Sequence, residues 1–226
     1  MLSLLAAFAL SAAPAALLLW YFYRLDAARP EPVGLIGKSF LLGFIAVAPA
    51  AGVELLLQGL LAPPSGLLGA ALEAFLVAAG VEESAKFIFV RRYLDRRPEF
   101  DERSDGVIYT ISVSLGFALV ESFLYGYADL RILLFRAFTA VPLHAVASGI
   151  MGYYLGLAKL GELPETRGKP ASLRARGLAA AVLIHGLYDF LLLAGSLASL
   201  LILPLLIVGW RILARLYRRA LSADAQ

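Results

Sequence analysis

Glu82, Glu83 and Lys86 fall within five residues of one another in the stretch AAGVEESAKFIFV, positions 78–90, among side chains that are otherwise small or apolar. A charge at the centre of a membrane helix costs about 2.5–3.5 kcal/mol on insertion scales, so three together need partners and mark a functional site. The chain has two histidines. Each is followed four residues later by a polar side chain, His144 by Ser148 in HAVAS and His185 by Asp189 in HGLYD. Positions i and i+4 share one face of a helix, so each pair projects to one place. Glu121, in GFALVES, adds a carboxylate. A glutamate can accept a proton from water, and imidazoles can ligate a metal or donate to a developing oxyanion; low-dielectric enclosure strengthens both effects. Hydrolysis of a peptide or ester bond inside the bilayer needs such a wet, enclosed cluster. Glu82 and Glu83 stand about 100° apart on a helix, so they divide roles. Glu82 is placed i to i+4 from Lys86 in the favourable acid-first order, which leaves Glu83 the freer base; the reverse assignment stays open.

The elements that must position these groups are membrane helices. Of the 226 residues 61% are hydrophobic and 16% charged, and mean hydropathy is +0.80. Soluble domains run near 45–50% apolar and about 25% charged. Cysteine is absent, which excludes disulfides, thiolate catalysis and Cys-ligated metals. The net charge of +3 is accounted for by membrane topology, and no nucleic-acid motif is present. The expected fold is all-α, a polytopic bundle forming one integral membrane domain over 1–226. Seven apolar spans of roughly 20 residues are expected at 2–23, 33–60, 66–90, 106–128, 134–159, 177–194 and 197–217.

Loop charge predicts the orientation. Arg24, Arg29 and Lys38 follow the first span, and Arg91, Arg92, Arg96, Arg97 and Arg103 the third. Lys159, Arg167, Lys169, Arg174 and Arg176 follow the fifth; Arg211, Arg215, Arg218 and Arg219 belong to the end of the seventh. The opposite loops hold only Arg131 and Arg136. By the positive-inside rule the chain is N-out and C-in. ALSAAPAA in the first span looks like a signal-peptide cleavage site, but the basic residues follow the apolar run, the charge order of a retained N-out helix. RRYLDRRPEFDERSDG, with five arginines against five acids, is expected to be a solvated cytoplasmic loop. Trp20, Tyr153, Tyr154 and Trp210 suit interfacial belts, and Arg136 an interfacial anchor. Glu54 and Glu73 lie toward the outer ends of their spans, where a wet position suffices. Depth is uneven: Glu83 lies eight residues from Arg91, about 12 Å, and His185 eight from Gly177, but His144 lies fifteen from Lys159, about 22 Å.

EESAK, FALVE, HAVAS and HGLYD stand in the order of the four motifs of the PrsW family of intramembrane proteases, E-E-x-x-K, F-x-x-x-E, H-x-x-x-S and H-x-x-x-D, which the chain resembles. That family is similar to the CAAX prenyl endopeptidases and to the anterior pharynx defective subunit of gamma-secretase. The resemblance matches Glu82, Glu83, Lys86, Phe117, Glu121, His144, Ser148, His185 and Asp189 to motif positions. It implies an intramembrane endopeptidase of the bacterial plasma membrane, surrounded by lipid, acting on a single-span membrane protein such as an anti-sigma factor. Glu82, Glu83, Glu121, His144 and His185 are then the catalytic candidates, supported by Lys86, Ser148 and Asp189. Glu121, His144 and His185 could hold a divalent metal such as zinc, which accepts carboxylate and imidazole ligands. A metal-free mechanism, with glutamate as base and histidine as oxyanion donor, is the alternative. Two other classes compete: a non-catalytic scaffold built on the same polar cluster, and a proton relay or transporter. No inverted repeat or matched pair of broken helices supports transport.

Overall fold

The computed structural model describes residues 3–26, 29–161 and 169–225, so Met1 and the loop residue Arg167 lie outside the described residues. Ser3 opens the first helix, α1 (Leu4–Leu25), by accepting the Ala6 N–H at 3.2 Å. α2 (Val33–Leu61) follows and ends at Ala62, whose φ of 40° turns the chain. α3 (Leu67–Ala71) then runs without a break through a π-helical segment (Leu72–Ala78), α4 (Ala79–Phe89) and a second π segment (Val90–Leu94). α5 (Arg103–Gly126), α6 (Leu130–Phe138), α7 (Ala140–Leu160), α8 (Pro170–Leu193), α9 (Ser196–Ser199) and α10 (Ile202–Asp224) complete the chain.

Among the described residues six stretches are long and apolar enough to cross a membrane: α1, α2, α5, α6 with α7, α8, and α9 with α10. The remaining expected span, 66–90, is the 67–94 run, which its two π segments divide. The all-α membrane bundle is therefore the architecture, with helix ends that differ from the apolar boundaries. α8 begins at Pro170 rather than 177, and the run bearing Glu83 continues past Arg91 to the buried Leu94. α10 extends to Asp224, so its four arginines lie within the helix. These extensions reduce the uneven depth. Fifteen residues separate Pro170 from His185, as fifteen separate His144 from Lys159, and Lys159 donates to the Arg97 carbonyl at 2.9 Å. Hydropathy marks where apolar side chains stop, whereas the helical hydrogen bonds continue beyond them.

α5 forms the centre, packed by α1, α2, α7 and α10. Its apolar window is 78% buried, against 17% for α1. Small residues let backbones touch: a Cβ on Gly116 would lie 1.9 Å from the Phe40 carbonyl oxygen of α2, and one on Gly156 of α7 2.2 Å from that of Arg103. The hydroxyls buried in α5 are satisfied, Thr110 and Ser112 by carbonyls one turn back and Ser114 by the His144 carbonyl at 2.9 Å. Exposed Leu55, Leu56, Leu60, Leu203 and Val208 face outward, where lipid covers them.

The arginine-rich stretch 91–106 is only in part the solvated loop that its composition suggests: Arg91, Arg92, Arg96 and Glu99 are exposed. Leu94, Phe100, Ser104 and Asp105 are buried, because Phe100 packs on Tyr109 and Lys159 stands over the Phe100 ring. Tyr153, expected at an interface, is buried in the main core beside Tyr154. Trp210 packs against Tyr21 and Phe22, whereas Trp20 is exposed.

Candidate functional site

The polar groups of four helices meet in the bundle. α4 carries Glu82, Glu83 and Lys86, α5 Glu121, α7 His144 and Ser148, and α8 His185 and Asp189. The π segment before α4 contributes to the aim of the first three. Its backbone step lengthens to i+5, as in the Ala79 N–H bond to the Ala74 carbonyl. One inserted residue rotates everything downstream by about 100°.

Lys86 is the hub. Fully buried, its ammonium donates to Glu83 Oε1 at 2.7 Å, to Glu82 Oε2 at 3.2 Å and to His144 Nδ1 at 2.9 Å, and it stands 4.3 Å from the centroid of the Phe117 ring. Three donors meet three acceptors. Because an ammonium cannot accept, His144 Nδ1 is the acceptor, so Nε2 carries the proton and donates to Glu121 Oε2 at 2.6 Å. Arg136 of α6 holds the other Glu121 oxygen as an ion pair at 2.8 Å and donates to Ser122 Oγ at 3.2 Å.

The two opening glutamates differ in environment. Glu83 is 0% exposed, and both its oxygens are engaged, Oε1 by Lys86 and by His185 Nδ1 at 2.9 Å, Oε2 by the Ser148 hydroxyl at 2.8 Å. The spacing rule pairs Glu82 with Lys86, yet the ammonium lies nearer Glu83. Glu82 lines a cavity of about 230 Å³ with Val47, Ala51, Glu54, Phe117, Glu121, Leu124 and Tyr125. Among the described residues nothing hydrogen-bonds its Oε1. His185 Nε2 is held loosely, 3.4 Å from Asp189 and 3.9 Å from Glu82, and the two imidazoles meet edge-on with centroids 4.8 Å apart.

The expected residues thus lie together, with a different grouping of possible ligands. Glu82, His144 and His185 each offer an atom within 4.8 Å of the others, whereas Glu121 is held by His144 and Arg136. One carboxylate and two imidazoles match the donor preferences of zinc in kind and spacing. Lys86 already supplies positive charge at the same centre. Two contributors escape a reading from sequence. Arg136, suited to an interfacial anchor, points inward to Glu121, and Glu54, suited to a wet helix end, lines the cavity opposite Glu82. Only the opposite charge of Arg136 hinted at the first. Glu73 is not part of the cavity lining and accepts from Gln58 at 2.6 Å.

A family model described as PrsW family intramembrane metalloprotease matches residues 31–213. Among curated proteins, Protease PrsW of Geobacillus kaustophilus is 39% identical over 80% of this chain and 77% of its own. Protease PrsW of Bacillus subtilis is 34% identical over 94% of both chains, and that of Oceanobacillus iheyensis 34% over 97% of both. No solved structure gives a significant match.

Proposed function

From the premise that the chain belongs to the PrsW family of intramembrane metalloproteases, and is a protease of the bacterial membrane, we propose that Glu82 is the group that activates the attacking water. We further propose that its substrate is a single-span membrane protein, of which an anti-sigma factor is an example. The observation that carries this reading is the contrast between the glutamates: Glu82 borders the cavity with an unengaged oxygen, and Glu83 is saturated. A base must reach the proton that it takes.

In the proposed reaction water sits in the cavity and gives a proton to Glu82 Oε1. The water oxygen bonds to the scissile carbonyl carbon, and Glu82 returns the proton to the departing amine as the C–N bond breaks. Lys86 keeps Glu82 Oε2 in place. Glu83 holds Lys86, His185 and Ser148, and so acts as a positioning residue. Arg136 and Glu121 fix the His144 tautomer. Glu82, His144 and His185 would hold the metal that the family description implies, with the ion taking the place of the Lys86 ammonium at His144 Nδ1; bound there, it would lower the pKa of the water and polarise the carbonyl. The cavity rim supports a substrate arriving from lipid, since Leu124 and Tyr125 are exposed on the outer surface of α5.

The test is cleavage of a membrane-embedded reporter by purified protein in liposomes. Glu82→Gln should lose about 10²–10⁴-fold in rate while melting near the wild-type temperature. Full cleavage by this variant would remove Glu82 from the role of base. In the same assay chelation should lower cleavage and zinc restore it. Undiminished cleavage by metal-free protein would leave Lys86 and Arg136 as the positive charges that serve the site, the metal-free alternative.

A further inference from the structure

A second group of buried carboxylates lies at the other end of α5. Asp105 is sixteen residues from Glu121, about 24 Å along the helix, so this group is separate from the cavity above. Asp26, at the end of α1, Glu31, just before α2, and Asp105, in the first turn of α5, each present an oxygen within 4.8 Å of the others. Asp26 is 1% exposed and Asp105 0%.

Their hydrogen bonding is incomplete. Asp105 Oδ2 accepts the Asp101 and Glu102 N–H groups at 2.9 and 2.7 Å, closing the capping box of α5, and the Tyr109 hydroxyl donates to Glu31. Among the described residues Asp26 Oδ2 is buried with no partner, and so is the hydroxyl of Tyr217, which lies within the electrostatic reach of all three carboxylates. Buried polar atoms ordinarily find partners, and orphaned ones call for a missing group.

Among the described residues positive charge is also missing. Arg29 is paired with Glu102, and Arg103, together with the Ser104 hydroxyl, with Asp224. A cleft of about 360 Å³ leads from solvent to Glu31, and its lining adds Glu99, Asp101 and Glu102 against the one cation Arg29. Such a cleft concentrates cations at its floor.

We propose that Asp26, Glu31 and Asp105 bind a hard divalent cation, Ca²⁺ or Mg²⁺, which clasps the α1–α2 connection to the start of α5. Ca²⁺ takes six to eight oxygens at about 2.3–2.6 Å, and Mg²⁺ six at about 2.0–2.1 Å with several waters; either places neighbouring ligand oxygens within the spacing found here. The site has no nitrogen or sulfur ligand, which disfavours zinc. The orphaned oxygen of Asp26 gains its partner in the ion.

The experiment uses the full chain in detergent, stripped with EDTA and titrated with CaCl₂ or MgCl₂ while thermal unfolding is followed. The wild type should show a saturable rise in melting temperature, on the order of 5–10 °C at a hundredfold excess over Kd. Asp26→Asn should lose the rise, and Glu31→Gln carries the comparison should Asp26→Asn not fold. Glu82→Gln should keep it, which separates this ion from one bound among the histidines. The proposal is overturned by the absence of any saturable rise with either ion, or by a rise of equal size in the site variants, since the carboxylates would then be sharing protons.

Discussion

Glu83 is in the least replaceable environment of the cluster. Glu83→Gln keeps its shape but removes the charge that faces Lys86 at 2.7 Å and His185 at 2.9 Å. Breaking a buried pair leaves an uncompensated charge, which typically costs about 3–5 kcal/mol. We expect this variant to lose both cleavage and melting temperature. Lys86→Met in the same background should recover stability and not cleavage, because Glu82 then lacks the ammonium that holds Oε2. Glu83→Gln melting like the wild type and yet inactive would instead make Glu83 a group acting on the reacting atoms. Ser148 shows how a residue in a small-residue position of a membrane helix can serve a charged neighbour, for its hydroxyl meets Glu83 Oε2 at 2.8 Å.

At the scale of elements, the site depends on how closely α2, α5 and α7 approach, since they carry Glu54, Glu121 and His144. Gly116 lies against the α2 backbone at Phe40, and a side chain there must push the helices apart. Gly116→Val should therefore lower stability by about 1–3 kcal/mol or more, read as melting temperature in detergent. Gly52→Ala in α2, where an added Cβ meets nothing within 4 Å, is the control and should be neutral or mildly stabilising. Equal melting temperatures for the two variants would show that close α2–α5 contact is dispensable. The π segment of 72–78 belongs to this scale as well, because it alters the register in which α4 presents Glu82, Glu83 and Lys86. Nothing in LEAFLVA, residues 72–78, marks a π turn, although the backbone makes the i+5 bond there.

At the scale of the molecule, loop charge predicts how the helices are oriented in the membrane. We expect reporters fused after Arg103 and after Ala225 to read cytoplasmic, and one placed between α2 and α3, after Pro64, to read external. A cytoplasmic signal after Pro64 would contradict seven alternating spans with the N-terminus out. The helical run 67–94 is the decisive element, since without its crossing Arg91, Arg92, Arg96 and Arg97 would not share a side with Lys159. The Lys159 bond to the Arg97 carbonyl puts those two loops at one end of the bundle.

Composition alone established a helical membrane protein, because apolar content of 61% leaves a bilayer as the suitable solvent. The i to i+4 pairs at His144 and His185, with Glu82, Glu83, Lys86 and Glu121, marked the polar cluster, because an ionisable group in lipid must face the interior. Periodicity within a helix, however, reports only that helix. Which glutamate meets the cavity followed from α7 and α8, whose Ser148 and His185 engage Glu83 and leave Glu82 open. Arg136 became a partner of Glu121 through the packing of α6 on α5. The carboxylates Asp26, Glu31 and Asp105 sit in three separate stretches that read as loop and helix ends. Packing around α5 brings them together, and no local pattern records a contact between residues so far apart in the chain.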